Sequence, residues 1–136
     1  MIFAFPMILL VLIGYNAVVF TSGVGQLGHV VLSINMTSGA LWSLTVSDVL
    51  ITAALFLLFI EVLKATRTGA GTILDHLLST LVFIACLVEF IIVREAATST
   101  FFLIMVIAFI DVVAGYSVSI RSARRDLAVG YGGQGL

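Results

Sequence analysis

Four long apolar runs decide what this chain can fold into. A helix that crosses the hydrocarbon core of a bilayer needs about 20 predominantly apolar residues. Residues 2–20, 44–63, 73–93 and 98–120 each meet that requirement. Composition agrees: 62% of the 136 residues are hydrophobic and 10% are charged, where soluble domains run at about half and about a quarter. The connections "KATRTGAGT" and "REAAT" are too short to hold a further domain. The prediction is an all-α membrane protein with four transmembrane helices in an up-down bundle, forming one integral membrane domain.

The ends of the runs carry local signals. Pro6 falls in the first turn of the first run, where its missing N–H costs little. Ser47 or Asp48 can cap the second. The first run resembles a signal peptide in its apolarity, but it lacks a basic n-region and exceeds an h-region of about 7–15 residues. It is read as a retained helix.

Positive charge orients the bundle. Lys64 and Arg67 follow the second run, and Arg121, Arg124 and Arg125 follow the fourth. Of the six basic residues only Arg94 falls on the other side. Basic residues mark the cytoplasmic side of a membrane protein, so both termini are expected in the cytoplasm, with Arg121, Arg124 and Arg125 anchoring to anionic headgroups. Tyr15, Phe20, Trp42, Phe90, Phe101 and Phe102 then lie towards the outer interface, and Phe3 and Phe5 at the inner one. The glycine-rich end of the tail, residues 121–136, is expected to be mobile unless a partner holds it.

Residues 21–43 form the longest connection, read as an ordered outer cap. Two β-branched stretches flank the turn-like triplet "TSG", which predicts a β-hairpin over Val30–Met36 and Ala40–Thr45. A re-entrant or interfacial helix is the alternative, because an unsupported hairpin is marginal in water.

The acidic residues separate by depth. Glu61, Lys64, Arg67, Asp75 and His76 fall near the inner boundary and can form one charge network, either salt bridges that pin helices together or a proton-access site. Glu89 and Asp111 are deeper, and ionised groups there cost about 2.5–3.5 kcal/mol on insertion scales. Asp111 lies on a stripe with Ala108, Gly115 and Ser119, whose small residues permit close helix packing. Glu89 lies on a similar stripe with Ser79, Val82, Cys86 and Val93. The two stripes are expected to face one another or a common partner. The carboxyls then serve either as hydrogen-bonding glue in protonated form, as a proton or cation site, or as a contact to another subunit's basic residue.

Chemistry-bearing motifs are missing. There is no HExxH, CxxC, GxSxG or P-loop, and "GVGQLG" at residues 23–28 fits GxGxxG by letter only, without a strand–helix context. The lone Cys86 excludes an internal disulfide and reads as a packing residue. A net charge of −1 offers no basic surface for nucleic acid. Neither an enzyme nor a cofactor or metal site is expected.

"FLLFIEVLKATR", an acid and then a base closing the second run, and "EFIIVRE", closing the third, carry a family resemblance. Over roughly residues 48–120 the chain resembles the small bacterial inner-membrane proteins of the phosphate-starvation-inducible E (PsiE) type. That resemblance implies a bacterial four-helix bundle in the inner membrane and no particular activity. Three functions stand open: a non-catalytic accessory subunit packed against a larger membrane complex or against itself, a proton- or cation-conducting homo-oligomer using Glu89 and Asp111, and a lipid- or quinone-binding protein.

Overall fold

The computed structural model describes residues 5–67 and 70–133. Helix α1 (Ile8–Ser22) leads through a 3-10 turn (Val24–Gly28) to strands β1 (Val30–Asn35) and β2 (Leu41–Thr45). Helices α2 (Val46–Ala65) and α3 (Ala70–Ile92) follow, then a short 3-10 turn (Arg94–Ala96) and the long helix α4 (Ser99–Gly133).

Three segments are long and apolar enough to cross a membrane: Val46–Ala65, Thr72–Ile92 and Ser99–Arg121. The first run behaves differently from its expected span over 2–20. Its helix has 15 residues, about 22 Å at 1.5 Å per residue, against a hydrocarbon core of about 30 Å. Pro6 lies just before the helix, its carbonyl accepting a hydrogen bond from the Leu9 N–H at 3.1 Å. Residues 1–4 lie outside the described residues.

Interhelical contacts fix the relative directions. Early α3 meets late α4 through His76 and Ser119, and late α3 meets early α4 through Phe90 and Phe101, so these two run antiparallel. Ser47 meets Thr100, and Ala65 meets Ser119, so α2 runs with α4. Helix α1 runs against both, placing Met7 at Glu61 and Tyr15 at Thr98. One end of the bundle therefore carries Lys64 and the other carries the hairpin.

The core is built from stripes at helical spacing. Ile8, Val11, Leu12, Tyr15 and Val19 are the buried face of α1. They pack with Ala54, Val82, Cys86, Phe101, Ile104, Ile107 and Ala108. Helix α2 turns inward only Ala54, Glu61 and Ala65 as fully buried residues. Its Leu55, Phe56, Phe59 and Leu63 point outward, as lipid-facing residues would.

The hairpin forms close to its expected bounds. Val30 pairs with Thr45, Leu32 with Leu44, Ser33 with Ser43, Ile34 with Trp42 and Asn35 with Leu41, with a bulge between Val30 and Leu32. Its loop closes by Gly39 N–H to Met36 O at 2.9 Å, with Gly39 at φ 88°, a left-handed conformation that glycine adopts without steric penalty. The hairpin does not plug the bundle: every residue of β1 is exposed.

Two local expectations need correction. The N-cap of α2 is Thr45, not Ser47 or Asp48. Thr45 accepts from the Asp48 N–H at 3.3 Å while Asp48 accepts from the Thr45 N–H at 2.9 Å, a reciprocal capping box that places Asp48 at the third helical position. The tail does not leave the helix at Arg121. α4 continues to Gly133, because "RSARRDLAV" is rich in good helix formers, although each glycine beyond it costs about 1 kcal/mol relative to alanine. Arg121, Arg124 and Arg125 are exposed on this extension.

Candidate functional site: a buried charge cluster at the Lys64 end

Glu61 and Lys64 lie one turn apart on the last part of α2, and Asp75 and His76 lie on the first part of α3. The short stretch of chain between α2 and α3 keeps them at one end of the bundle. Lys64 Nζ lies 3.3 Å from Glu61 Oε1 and 3.3 Å from Asp75 Oδ1. It also donates to the Phe5 carbonyl at 2.9 Å. Glu61 accepts from the Met7 N–H, so the start of α1 is fastened to the same carboxylate. Arg67 is exposed, with its carbonyl accepting from the Thr72 hydroxyl at 3.0 Å.

Asp111 joins this cluster rather than Glu89. Ser79 on α3 and Asp111 on α4 are about equally far from the turn joining the two helices, and the Ser79 side chain lies beside the Asp111 carboxyl. Glu61, Asp75 and Lys64 are the charged neighbours of Asp111. Residual exposure is 3% for Glu61, 5% for Asp75, 4% for Asp111 and 7% for His76. Glu61 and Asp75 thus share one ammonium in a region shielded from solvent, with the buried Asp111 carboxyl beside them.

His76 forms the second half of the cluster. Ser119 Oγ donates to the Ala65 carbonyl at 3.0 Å. A hydroxyl has one proton to give, so at 2.5 Å His76 Nε2 is the donor to Ser119. The imidazole packs over Gly115, where an added Cβ would come within 3.0 Å of Cε1 and 3.1 Å of Nδ1. The Tyr116 ring centroid lies 5.0 Å from that of the imidazole, tilted by 38°. The small residues of the α4 stripe therefore serve distinct purposes: Ala108 packs in the core, Gly115 makes room for a ring, and Ser119 relays a hydrogen bond.

A different polar cluster occupies the hairpin end. Tyr15 Oη donates to the Glu95 carbonyl at 2.8 Å and contacts Thr98 Oγ1 at 2.6 Å. Ser47 and Thr100 hydroxyls meet at 2.6 Å. Glu89 accepts from Asn16 Nδ2 at 3.2 Å, and Asn16 Oδ1 is buried without a hydrogen-bond partner among the described residues.

The two stripes do face one another, with Ser79 beside Asp111 and with Val82, Cys86 and Ala108 in one core, but the Glu89 and Asp111 carboxyls themselves lie apart. Val82 and Cys86 on α3, and Ile104, Ile107 and Ala108 on α4, stand between the two carboxyls. Val11 and Leu12 on α1 and Ala54 on α2 complete an apolar layer across all four helices. Helix rotation sends Glu89 to α1 and Asp111 to α2 and α3. Glu61 and Asp75 as neighbours of Asp111 were missed from sequence. Their signal was Ser79, a hydroxyl at matching distance from the α3–α4 turn.

Among the described residues, no three His, Cys, Asp or Glu side chains are grouped to hold a metal ion. No protein-family model matches this chain, and no curated protein or solved structure is significantly similar to it.

Proposed function

We propose that this protein is a non-catalytic subunit of the bacterial inner membrane that works by associating, through its lateral surface, with a larger membrane complex. The observation carrying this reading is the internal use of its buried charge. Met7 and Phe5 before α1, Glu61 and Lys64 of α2 and Asp75 of α3 are joined in one network, and Asp111 of α4 is buried beside it. Removing one partner of such a network is costly, which suits a fastening role. What remains for other molecules is an apolar flank that includes Phe56, Phe59, Ile91, Ile92 and Phe109. The excess of basic residues at the Lys64 end supports placing that end and both termini in the cytoplasm. The PsiE-type resemblance supports the bacterial inner membrane.

The test is extraction from native membranes in mild detergent followed by intact-complex mass spectrometry. A stoichiometric larger partner is the expected result. A pure homo-oligomer would overturn the reading.

One observation favours a second reading, a proton- or cation-conducting homo-oligomer: a third buried carboxyl, Asp111, lies beside the two that pair with Lys64. Against it stands the apolar layer between Glu89 and Asp111. Proton flux that is lost in Asp111→Asn and Glu89→Gln, with assembly intact, would establish it.

A further inference from the structure

The hairpin is amphipathic in a way its burial does not explain. Cross-strand partners point to the same side of a sheet, so the register puts Leu32, Leu44, Ile34 and Trp42 on one face. Ser33, Ser43, Asn35 and Leu41 lie on the other, where the two serine hydroxyls meet at 3.2 Å. The first face is apolar throughout, and none of its four residues belongs to the core cluster or packs against it. Trp42 is 46% exposed. A two-stranded hairpin with such a face is marginal in water.

We infer that the Leu32–Ile34–Trp42–Leu44 face lies in the headgroup and upper acyl region of the bilayer, as an interfacial rest at the hairpin end of the bundle. Three observations choose lipid as the occupant. First, β2 ends at Thr45, the N-cap of α2, so the face is continuous in the chain with a candidate span that starts at Val46. No linker lifts the hairpin away from the membrane surface. Second, no charged residue occurs before Asp48, so nothing in the hairpin resists entry into the interface and nothing selects a charged protein partner. Third, the face carries the chain's single tryptophan, a residue that favours the membrane–water boundary. The unpaired outer edges of β1 and β2 set the depth. Open strand edges are not tolerated in the hydrocarbon core but can be hydrated among headgroups. The inference rests on the membrane reading of the spans, not on the choice between subunit and conductor.

Trp42 makes the test direct, because all tryptophan emission comes from it. The full chain is reconstituted into phosphatidylcholine vesicles with and without acyl-chain bromination, and insertion is checked by resistance to alkaline carbonate. Blue-shifted emission, strong quenching by brominated lipid and weak quenching by aqueous acrylamide are expected. In Leu32→Ser/Ile34→Ser, brominated-lipid quenching should fall several-fold while carbonate resistance persists. An inserted chain quenched by acrylamide but not by brominated lipid would overturn the inference. Trp42 shielded from both quenchers would also overturn it, by assigning the face to a second copy. A chain removed by carbonate would overturn the membrane reading and this one with it.

Discussion

The two ends of the bundle use polar side chains in opposite ways. At the Lys64 end, ionisable groups are buried and interlocked, with one lysine bonded to two acids and a histidine bonded to a serine that is bonded to a carbonyl. At the hairpin end, the contacts are mainly between neutral groups, and Glu89 is only partly buried against Asn16. Charge shielded from solvent is costly when its partner is lost, whereas a neutral hydrogen bond contributes modestly. The Lys64 end should therefore be intolerant of substitution, and the hairpin end permissive.

Five substitutions test that contrast. Lys64→Met leaves Glu61 and Asp75 without their cation and should destabilise the bundle by about 3–5 kcal/mol, seen as unfolding at much lower denaturant in detergent micelles. Gly115→Ala drives a methyl against the His76 ring and should cost about 1–3 kcal/mol; unfolding titrations compare it with Ser119→Ala, which removes the His76–Ser119 hydrogen bond without a clash. Tyr15→Phe removes the phenol contacts to Glu95 and Thr98 and should cost about 1 kcal/mol. Glu89→Gln keeps an acceptor for Asn16 and should change stability by no more than about 0.6 kcal/mol, the average for interhelical hydrogen bonds in membranes. A Glu89→Gln loss as large as that of Lys64→Met would erase the distinction between the ends.

Much of the architecture was readable from the chain. Apolar run length located α2, α3 and the membrane-length part of α4, and β-branched stretches around "TSG" located the hairpin within a residue of each boundary. The Glu61–Lys64–Asp75 ion pairs followed from residues at one depth beside a short connection. What was not readable was rotation about the helix axes. Stripe spacing put Asp111 and Glu89 on inward faces, but which neighbour each meets depends on how Tyr15, Cys86 and Phe101 pack between the helices. The extension of α4 was missed for a different reason, since "VGYGG" has poor helix propensity and follows only because the helix is already formed before it.

The central claim is that the charges at the Lys64 end fasten helices and do nothing else. The most direct measurement is intact-complex mass spectrometry on membranes carrying Glu61→Gln/Lys64→Met/Asp75→Asn, which removes both acids together with their cation. A buried ion network replaced as a unit is often near neutral in stability. The triple variant is predicted to regain most of the stability lost in Lys64→Met and to assemble with the same stoichiometry as the unaltered chain. A variant that folds normally yet no longer assembles would contradict the claim and give the charges a role outside the fold.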